Sequence, residues 1–259
     1  MKFLIFSPPY RNSSAGIRVL HRLAQELIKL GYRSFVFTDW RETARLRPYV
    51  GDCVVVYPEV IRGNPLGAKN VVRYVLNTPG YLGCDSTYAD SELVFVHSRA
   101  LMAGAQSATR QVIDESRLME ISVIEPWLFQ PKPELERAYD VCFWVGKGAN
   151  VADNETMTRV NDYIRGKKFL QITYELPSTR EGLAHLFQSC HEFLTIDDFT
   201  AMLMEAKLCG CKTTIMRRHG PEDYAEDVSR FSTSWYDTAA IGNFANICRE
   251  TFERCEAAA

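Results

Sequence analysis

The stretch FLTIDDFTAMLMEAKLCGCKTTI, residues 193–215, predicts the fold class more directly than any other part of the chain. Residues 193–196 are mostly apolar, which is typical of the end of a buried strand. Asp198 and Thr200 are preferred helix N-cap residues, and residues 201–208 favour a helix. A glycine then stands where helices commonly end in a left-handed residue, and the apolar run after it suits another strand. The pattern predicts strand, acidic turn, helix and strand.

Two acidic residues of this stretch are placed to bind a ligand. Asp197 falls in the turn after the strand, where open α/β sheets bind ligands, and Glu205 lies eight residues further on. This offset is near two helical turns, so we expect the two carboxylates to point the same way, about 10 Å apart along the axis. That separation suits one extended ligand, such as a nucleotide sugar, better than one metal ion. A capping acid and an ordinary solvated helix remain the alternative.

The same residues resemble the signature of retaining glycosyltransferases of the GT-B fold, in which two Glu residues are separated by seven others. Here Asp197 replaces the first Glu, and Asp198 and Thr200 replace the two glycines of the turn. The resemblance implies that Glu205 binds the ribose of the donor and that Asp197 contacts the donor sugar as a catalytic residue. It also implies that Asp198, Phe199 and Thr200 lie beside the donor diphosphate. A helix N-terminus there would favour an anion.

A second segment, residues 57–80, carries the pattern YPE…GNPL.AK.VVRY.LN.PG. It resembles a segment of bacterial and viral polysaccharide glycosyltransferases of this type. Locally, Asn64-Pro65 starts a helix or turn that we expect to continue through Lys69–Tyr74, and residues 75–77 would be the end of a strand. The run ELVFVHS, residues 92–98, predicts a strand that ends at His97. His97 is a candidate catalytic residue that would bind an acceptor hydroxyl or a phosphate, although a structural histidine is the alternative. Three carboxylates are further candidate bases, and the sequence does not rank them: Glu59, Asp85 and Asp90.

Two short loops complete the candidate donor site. Residues 140–145 predict a strand, and Gly146 and Lys147 follow it at once. The resemblance implies that Lys147 contacts the donor diphosphate and that Gly146 lets the backbone approach the ligand. The first strand is followed by a loop of small residues that includes Ser14 and Gly16. It lacks the G-x-G-x-x-G dinucleotide fingerprint, so its place beside the donor is implied by the resemblance alone. Plain turns remain the alternative for both loops.

Both halves of the chain alternate strands with helices, as in α/β folds with parallel sheets. We expect residues 1–126 to form a Rossmann-like, acceptor-side domain whose last strand lies at 121–124. A proline-rich linker at 127–139 leads to a Rossmann-like nucleotide-sugar-binding domain at 140–240, and residues 241–259 form a closing helix. The predicted fold class is α/β, with two Rossmann-like, doubly wound parallel-sheet domains facing a cleft, as in the GT-B type.

Composition excludes several classes of protein. The chain has 259 residues and a net charge of −2, which gives no electrostatic basis for binding nucleic acid. No apolar run approaches the ~18 residues of a spanning helix, so we expect at most peripheral membrane contact. The eight cysteines are scattered without a C-x-x-C pair, which predicts buried thiols in a reducing cytoplasm and no metal site.

The function implied by the resemblance is a cytoplasmic glycosyltransferase of polysaccharide biosynthesis. It would move a sugar from a nucleotide-diphosphate-sugar donor, a UDP- or GDP-sugar, to a glycan or lipid-linked acceptor, with no metal and no cofactor. Two alternatives stay open. One is a non-catalytic module that binds nucleotide sugars or glycans, and the other is a sugar-nucleotide epimerase or a phosphorylase of the same fold.

Overall fold

The computed structural model describes residues 1–39, 43–146, 152–232 and 238–257. The chain divides into two compact units, each built on one five-stranded sheet. The first unit comprises Met1–Tyr10, Gly16–Val123 and the described part of Tyr236–Ala259, and the second comprises Arg11–Ala15 and Ile124–Trp235.

In chain order the elements are β1 (Lys2–Phe6), α1 (Ala15–Lys29), β2 (Arg33–Phe37), α2 (Thr43–Val50), β3 (Cys53–Pro58), β4 (Asn70–Val75), β5 (Leu93–Val96), α3 (Met102–Ala108), β6 (Tyr139–Trp144), α4 (Asn154–Ile164), β7 (Phe169–Ile172), α5 (Arg180–Gln188), β8 (Cys190–Thr195), α6 (Met202–Leu208), β9 (Lys212–Arg217), β10 (Gly220–Asp223) and α7 (Thr238–Ala257).

The first unit is built on a parallel sheet with the strand order β2-β1-β3-β4-β5. Helices α1 and α7 cover one face, and α2 and α3 pack on the other. Covered faces explain why β3 is a continuous apolar run and why every residue of β4 is buried. The strand order reverses between β1 and β3, so their carboxyl ends form the topological switch point where open sheets bind ligands.

The second unit repeats this order as β7-β6-β8-β9-β10, with the last strand antiparallel to β9. Helices α5 and α6 pack on one face, and α4 packs on the other. The switch point lies between β6 and β8. In their parallel register Trp144 pairs with Thr195, so the two strands end at the same level. The expected α/β class with two mainly parallel sheets is therefore confirmed.

The helix or turn predicted through Lys69–Tyr74 is wrong, because Asn70–Val75 forms the buried strand β4. All six residues of β4 are buried, and three of them are valines. The apolar residues of this short segment, interrupted by Arg73, have no periodicity that distinguishes a buried strand from a buried helix.

The strand predicted at 121–124 is also wrong. Leu118 makes a single parallel bridge to Val96, and the four residues 121–124 then form no strand. The change from the first unit to the second falls between Val123 and Ile124, and α7 belongs to the first unit. None of the helices in the described ranges combines the length and apolar composition needed to cross a membrane.

Candidate functional site

The switch point of the second sheet brings together two of the predicted donor residues. Gly146 follows β6 by two residues, and Asp197 follows β8 by two residues. Because Trp144 and Thr195 are paired in register, both residues lie at the same carboxyl edge of the sheet. This is the position at which open α/β sheets bind their ligands.

Gly146 is required by the local backbone and by its neighbour. Its φ of +54° lies in the left-handed region, which favours glycine. A β-carbon at this position would also overlap the indole nitrogen of Trp144. The glycine thus lets the Trp144 ring fold back over the turn. Lys147, the predicted diphosphate cation, lies outside the described residues.

The turn after β8 holds Asp197 in a fixed orientation. Asp197 is buried, its backbone N–H donates to Thr195 Oγ1 at 3.0 Å, and its Oδ1 accepts from the Phe199 N–H at 3.2 Å. This is an Asx turn, in which the side chain closes the backbone on itself. The carboxylate is therefore preorganised at the edge of the sheet.

Asp198, one of the two candidate N-cap residues, does not cap the following helix. Its Oδ2 accepts from Arg217 Nη1 at 2.8 Å, and Arg217 also pairs with Glu222 across the β9–β10 turn. Helix α6 begins at Met202 with no side-chain cap at Ala201. An arginine within reach of a carboxylate competes with backbone N–H groups for it, which explains the different outcome.

The two remaining residues of the predicted diphosphate turn are partly open to solvent. Phe199 is 47% exposed, and Thr200 Oγ1 lies 3.4 Å from the backbone nitrogen of Met202. Helix α6 has seven residues, which is about two turns, so only a few peptide dipoles add to its macrodipole.

Glu205 lies inside the second unit and is fully buried. Its Oε1 accepts from Arg180 Nη2 at 2.5 Å, and its Oε2 accepts from Arg180 Nη1 at 3.2 Å. Arg180, the first residue of α5, also donates to Glu125 at 2.7 Å and lies 4.5 Å from the ring centre of Phe129. Burial alone would lower the pKa of Arg180, but the two carboxylates raise it above its ordinary value.

Of the two candidates predicted in the loop after β1, Ser14 lies there, but Gly16 does not, because α1 already begins at Ala15. The Ser14 N–H donates to the Arg11 carbonyl at 3.2 Å, which closes a turn. A β-carbon at Gly16 would lie 3.6 Å from Leu76 Cδ1, an ordinary contact distance. A side chain would fit at this position, so packing does not require a glycine there.

Three residues of this edge were not singled out from the sequence: Arg11, Trp144 and Tyr174. Tyr174 follows β7, and its ring meets the Trp144 ring edge to face at 4.9 Å. The Arg11 guanidinium lies 5.5 Å from the centre of the Tyr174 ring, and the Ser13 hydroxyl donates to the Tyr174 carbonyl. The sequence of residues 168–173 predicts a strand, and the aromatic residue directly after it is the signal that could have identified Tyr174.

Electrostatics connects Tyr174 with Asp197. Burial raises the pKa of the Tyr174 phenol, the negative charge of Asp197 raises it further, and the positive charge of Arg11 opposes both. We call Arg11, Trp144, Tyr174 and Asp197 the edge cluster. It combines an exposed guanidinium, two aromatic rings and a buried carboxylate. Such a set can bind an anionic group, a flat ring and a hydroxyl group at once.

His97 lies in the first unit, directly after β5. The Tyr74 hydroxyl donates to the Met119 carbonyl at 2.5 Å, so the 2.9 Å contact between Tyr74 and His97 Nδ1 places a proton on that nitrogen. Burial lowers the pKa of His97 to about 4, while the Met119 carbonyl acts in the opposite direction. His97 is thus neutral at pH 7 and a weak base, which favours a structural contact over proton transfer.

No protein-family model matches this chain, and a search of curated proteins finds no similar sequence. The described residues contain no group of three or more His, Cys, Asp or Glu side chains arranged to hold a metal ion. The chemistry of the site therefore has to be inferred from the edge cluster itself.

We expect His97 to make the first unit less stable in mild acid. Its pKa is about 4 when folded and 6.5 when unfolded, so the unfolded chain binds the extra proton between these values. Stability is complete above pH 6.5 and falls as the pH drops toward 4, by about 1–2 kcal/mol at pH 5. Urea unfolding of wild type and His97→Gln at pH 7 and pH 5 measures this difference. An equal pH dependence in both proteins would contradict the assignment.

We expect Glu205→Gln to lower the free energy of unfolding of the second unit by about 3 kcal/mol, because it removes one of the two carboxylates that pair with the buried Arg180. Glu181→Gln is the matched control, since Glu181 lies in the first turn of α5 with an exposed side chain. The control should stay within about 0.5 kcal/mol of wild type. Equal stability of the two variants in urea titrations would show that the Arg180 pair does not support the fold.

Proposed function

We propose that the chain is a glycosyltransferase that moves a sugar from a UDP- or GDP-linked donor to a glycan or lipid-linked acceptor. The observation that carries the proposal is the edge cluster, in which Arg11, Tyr174 and Asp197 meet at the switch point of the second sheet. A nucleotide sugar presents a diphosphate, a flat base and several hydroxyl groups. The cluster offers one matching group for each of these.

Arg11 supplies the positive charge for the donor diphosphate. Its guanidinium is planar and always charged, so it can donate two parallel hydrogen bonds to phosphate oxygens. The guanidinium is exposed, and it is held over the Tyr174 ring by a cation–π contact. Lys147 is proposed as a second cation for the same group.

Asp197 is proposed to accept hydrogen bonds from hydroxyl groups of the donor sugar. Its Asx turn keeps the carboxylate in place before the ligand arrives, so little ordering is needed on binding. As the bond from sugar to diphosphate breaks, negative charge develops on the leaving diphosphate. A fixed guanidinium stabilises that charge at the moment it forms.

We assign Glu205 a positioning role in this proposal. Both of its oxygens are bound by Arg180, and the side chain is fully buried. A ribose contact would require this ion pair to open, which is unfavourable inside the unit. The pair instead joins α5 to α6 and fixes the helix that follows the Asp197 turn.

A second candidate function is a module that binds nucleotide sugars without turnover. The burial of Glu205 favours it, because the resemblance to retaining glycosyltransferases depends on two available carboxylates. The two candidates share the donor site and differ in whether Asp197 supports sugar transfer.

We expect Arg11→Ala to weaken binding of UDP or GDP about 10- to 100-fold, the effect of losing about 1.5–3 kcal/mol of charge-assisted hydrogen bonds. Binding of the corresponding nucleoside should change little, and Arg11→Lys should keep part of the affinity. Calorimetry measures all of these. Arg159→Ala is the control, since this exposed α4 arginine pairs only with Glu155 among the described residues. Wild-type affinity in Arg11→Ala would remove Arg11 from the donor site.

Asp197→Asn distinguishes transfer from simple binding. We expect its nucleotide affinity to stay within about threefold of wild type, while release of UDP or GDP from the sugar donor falls about 100-fold or more. A binding module would release no nucleotide in either protein.

A further inference from the structure

Strand β2 is an open edge of the first sheet. It pairs with β1 on one side, and no strand in the described residues pairs with its other side. Proteins commonly protect such an edge with charged residues or proline, as β10 does at an edge of the second sheet with Pro221, Glu222 and Asp223. Strand β2 has no proline and one charged residue, Arg33 at its start, and Phe35 at its centre is 60% exposed. The edge can therefore accept a further strand.

The backbone of β2 has a definite hydrogen-bonding phase. The Phe37 carbonyl accepts from the Ser7 N–H at 2.9 Å, so the backbone groups of Phe37 point toward β1. This direction alternates from one residue to the next along a strand, so the N–H and C=O groups of Ser34 and Val36 point away from β1. Thr38 follows outside any helix or turn, and a strand that continues through it gives Thr38 the same outward direction.

The side chains of β2 divide between the two faces of the sheet. Val36 packs on the core beneath α1, and Phe37 packs with Leu46 of α2 on the opposite face. Phe35 shares the face of Phe37, yet most of its ring is exposed. Arg33 is also exposed on this face, and it forms no hydrogen bond or ion pair with a described residue. This face of the edge thus presents an aromatic ring and a positive charge to the solvent.

The sequence of this edge is complementary to itself. Residues 33–39 read RSFVFTD, and the positions on either side of Val36 match in chemistry when the segment runs antiparallel to a second copy. The matched pairs are Arg33 with Asp39, Ser34 with Thr38, and Phe35 with Phe37. Pairs of opposite charge, of hydroxyl groups and of aromatic rings are those that stabilise neighbouring antiparallel strands. The best complement of this edge is therefore a second copy of the same chain.

We propose that β2 is the interface of a homodimer, in which two copies pair their β2 strands antiparallel about a twofold axis at Val36. A twofold axis presents the same surface of each copy to the other, so every contact off the axis occurs twice. Val36 exchanges two backbone hydrogen bonds with the partner's Val36, because its N–H and C=O point outward. Ser34 and the partner's Thr38 exchange two more, which joins the first sheets of both copies into one continuous sheet.

The side-chain contacts of this dimer explain the exposed ring of Phe35. Residues whose backbone groups point toward β1 form the non-hydrogen-bonded pairs across the interface, where Cα atoms are about 4.5 Å apart and side chains approach most closely. Phe35 of each copy packs on the partner's Phe37 and is removed from water. Arg33 reaches the partner's Asp39 at both ends of the strand pair. One pair of strands is a small interface, so we expect a dissociation constant on the order of 10 µM.

Sedimentation velocity of the full chain, between about 1 and 200 µM, measures this equilibrium. We expect Phe35→Lys to weaken the dimer about tenfold or more, because it replaces the central ring of each strand with a charge, the usual protection of an edge. Val112→Lys is the matched control, since Val112 is a 72% exposed apolar residue of the same unit outside β2. The control should dimerise as wild type does, and both variants should keep a melting temperature close to that of wild type.

Charge reversal tests the register of the two strands. Arg33→Asp and Asp39→Arg each set like charges opposite one another at both ends, so we expect each variant alone to dimerise about fivefold or more weakly than wild type. An equal mixture of the two variants restores opposite charges at both ends, so it should form a heterodimer with nearly wild-type affinity. A defect in folding would not be repaired by mixing.

Three results would overturn the inference. The first is a wild-type chain that stays monomeric at the highest concentration. The second is a dimer that Phe35→Lys leaves as strong as wild type, which would place the contact on another surface. The third is a mixture of Arg33→Asp and Asp39→Arg that associates no better than either variant alone.

Discussion

The parallel pairing of β6 with β8 is the constraint on which the edge cluster, the proposed donor site, depends. Each strand ends in a turn that carries one element of the site, and the register of Trp144 with Thr195 sets both turns at one level. The site is then formed from backbone positions that the sheet itself fixes. Gly146 allows the Trp144 ring to fold back, and Tyr174 packs edge to face on that ring. The loop that carries Arg11 lies against Tyr174.

Each unit also contains an ion pair built on a buried arginine. Arg180 binds Glu205 and Glu125 in the second unit, and Arg73 binds Glu92 in the first. Such pairs need further hydrogen bonds to offset the loss of hydration. Arg73 has these in two backbone carbonyls, and both arginines also lie against aromatic rings. In each unit the arginine joins segments that are distant in sequence, which fixes the loops next to the carboxyl edge.

Local sequence patterns were sufficient to predict those elements whose ends are determined by residues next to them in the sequence. The sequence of residues 2–6 predicts a first strand, and β1 is found there. Gly210 adopts the left-handed conformation expected after α6. The pattern failed at β4, where the apolar residues on either side of Arg73 have no periodicity that separates strand from helix. It also did not indicate β10, a short antiparallel strand of exposed residues. The environment of Glu205 depends on Arg180, 25 residues away in sequence, and no local signal reports such a partner.

The most direct measurement of the central claim, that the edge of the second sheet binds a nucleotide sugar, is calorimetric titration of the purified chain. The ligands are UDP-, GDP-, ADP-, CMP- and dTDP-sugars, with and without Mg²⁺. We expect one UDP- or GDP-sugar to bind with a submillimolar dissociation constant that Mg²⁺ does not change, because Arg11 supplies the charge for the diphosphate. Absence of binding by every sugar nucleotide at millimolar concentration would contradict the claim.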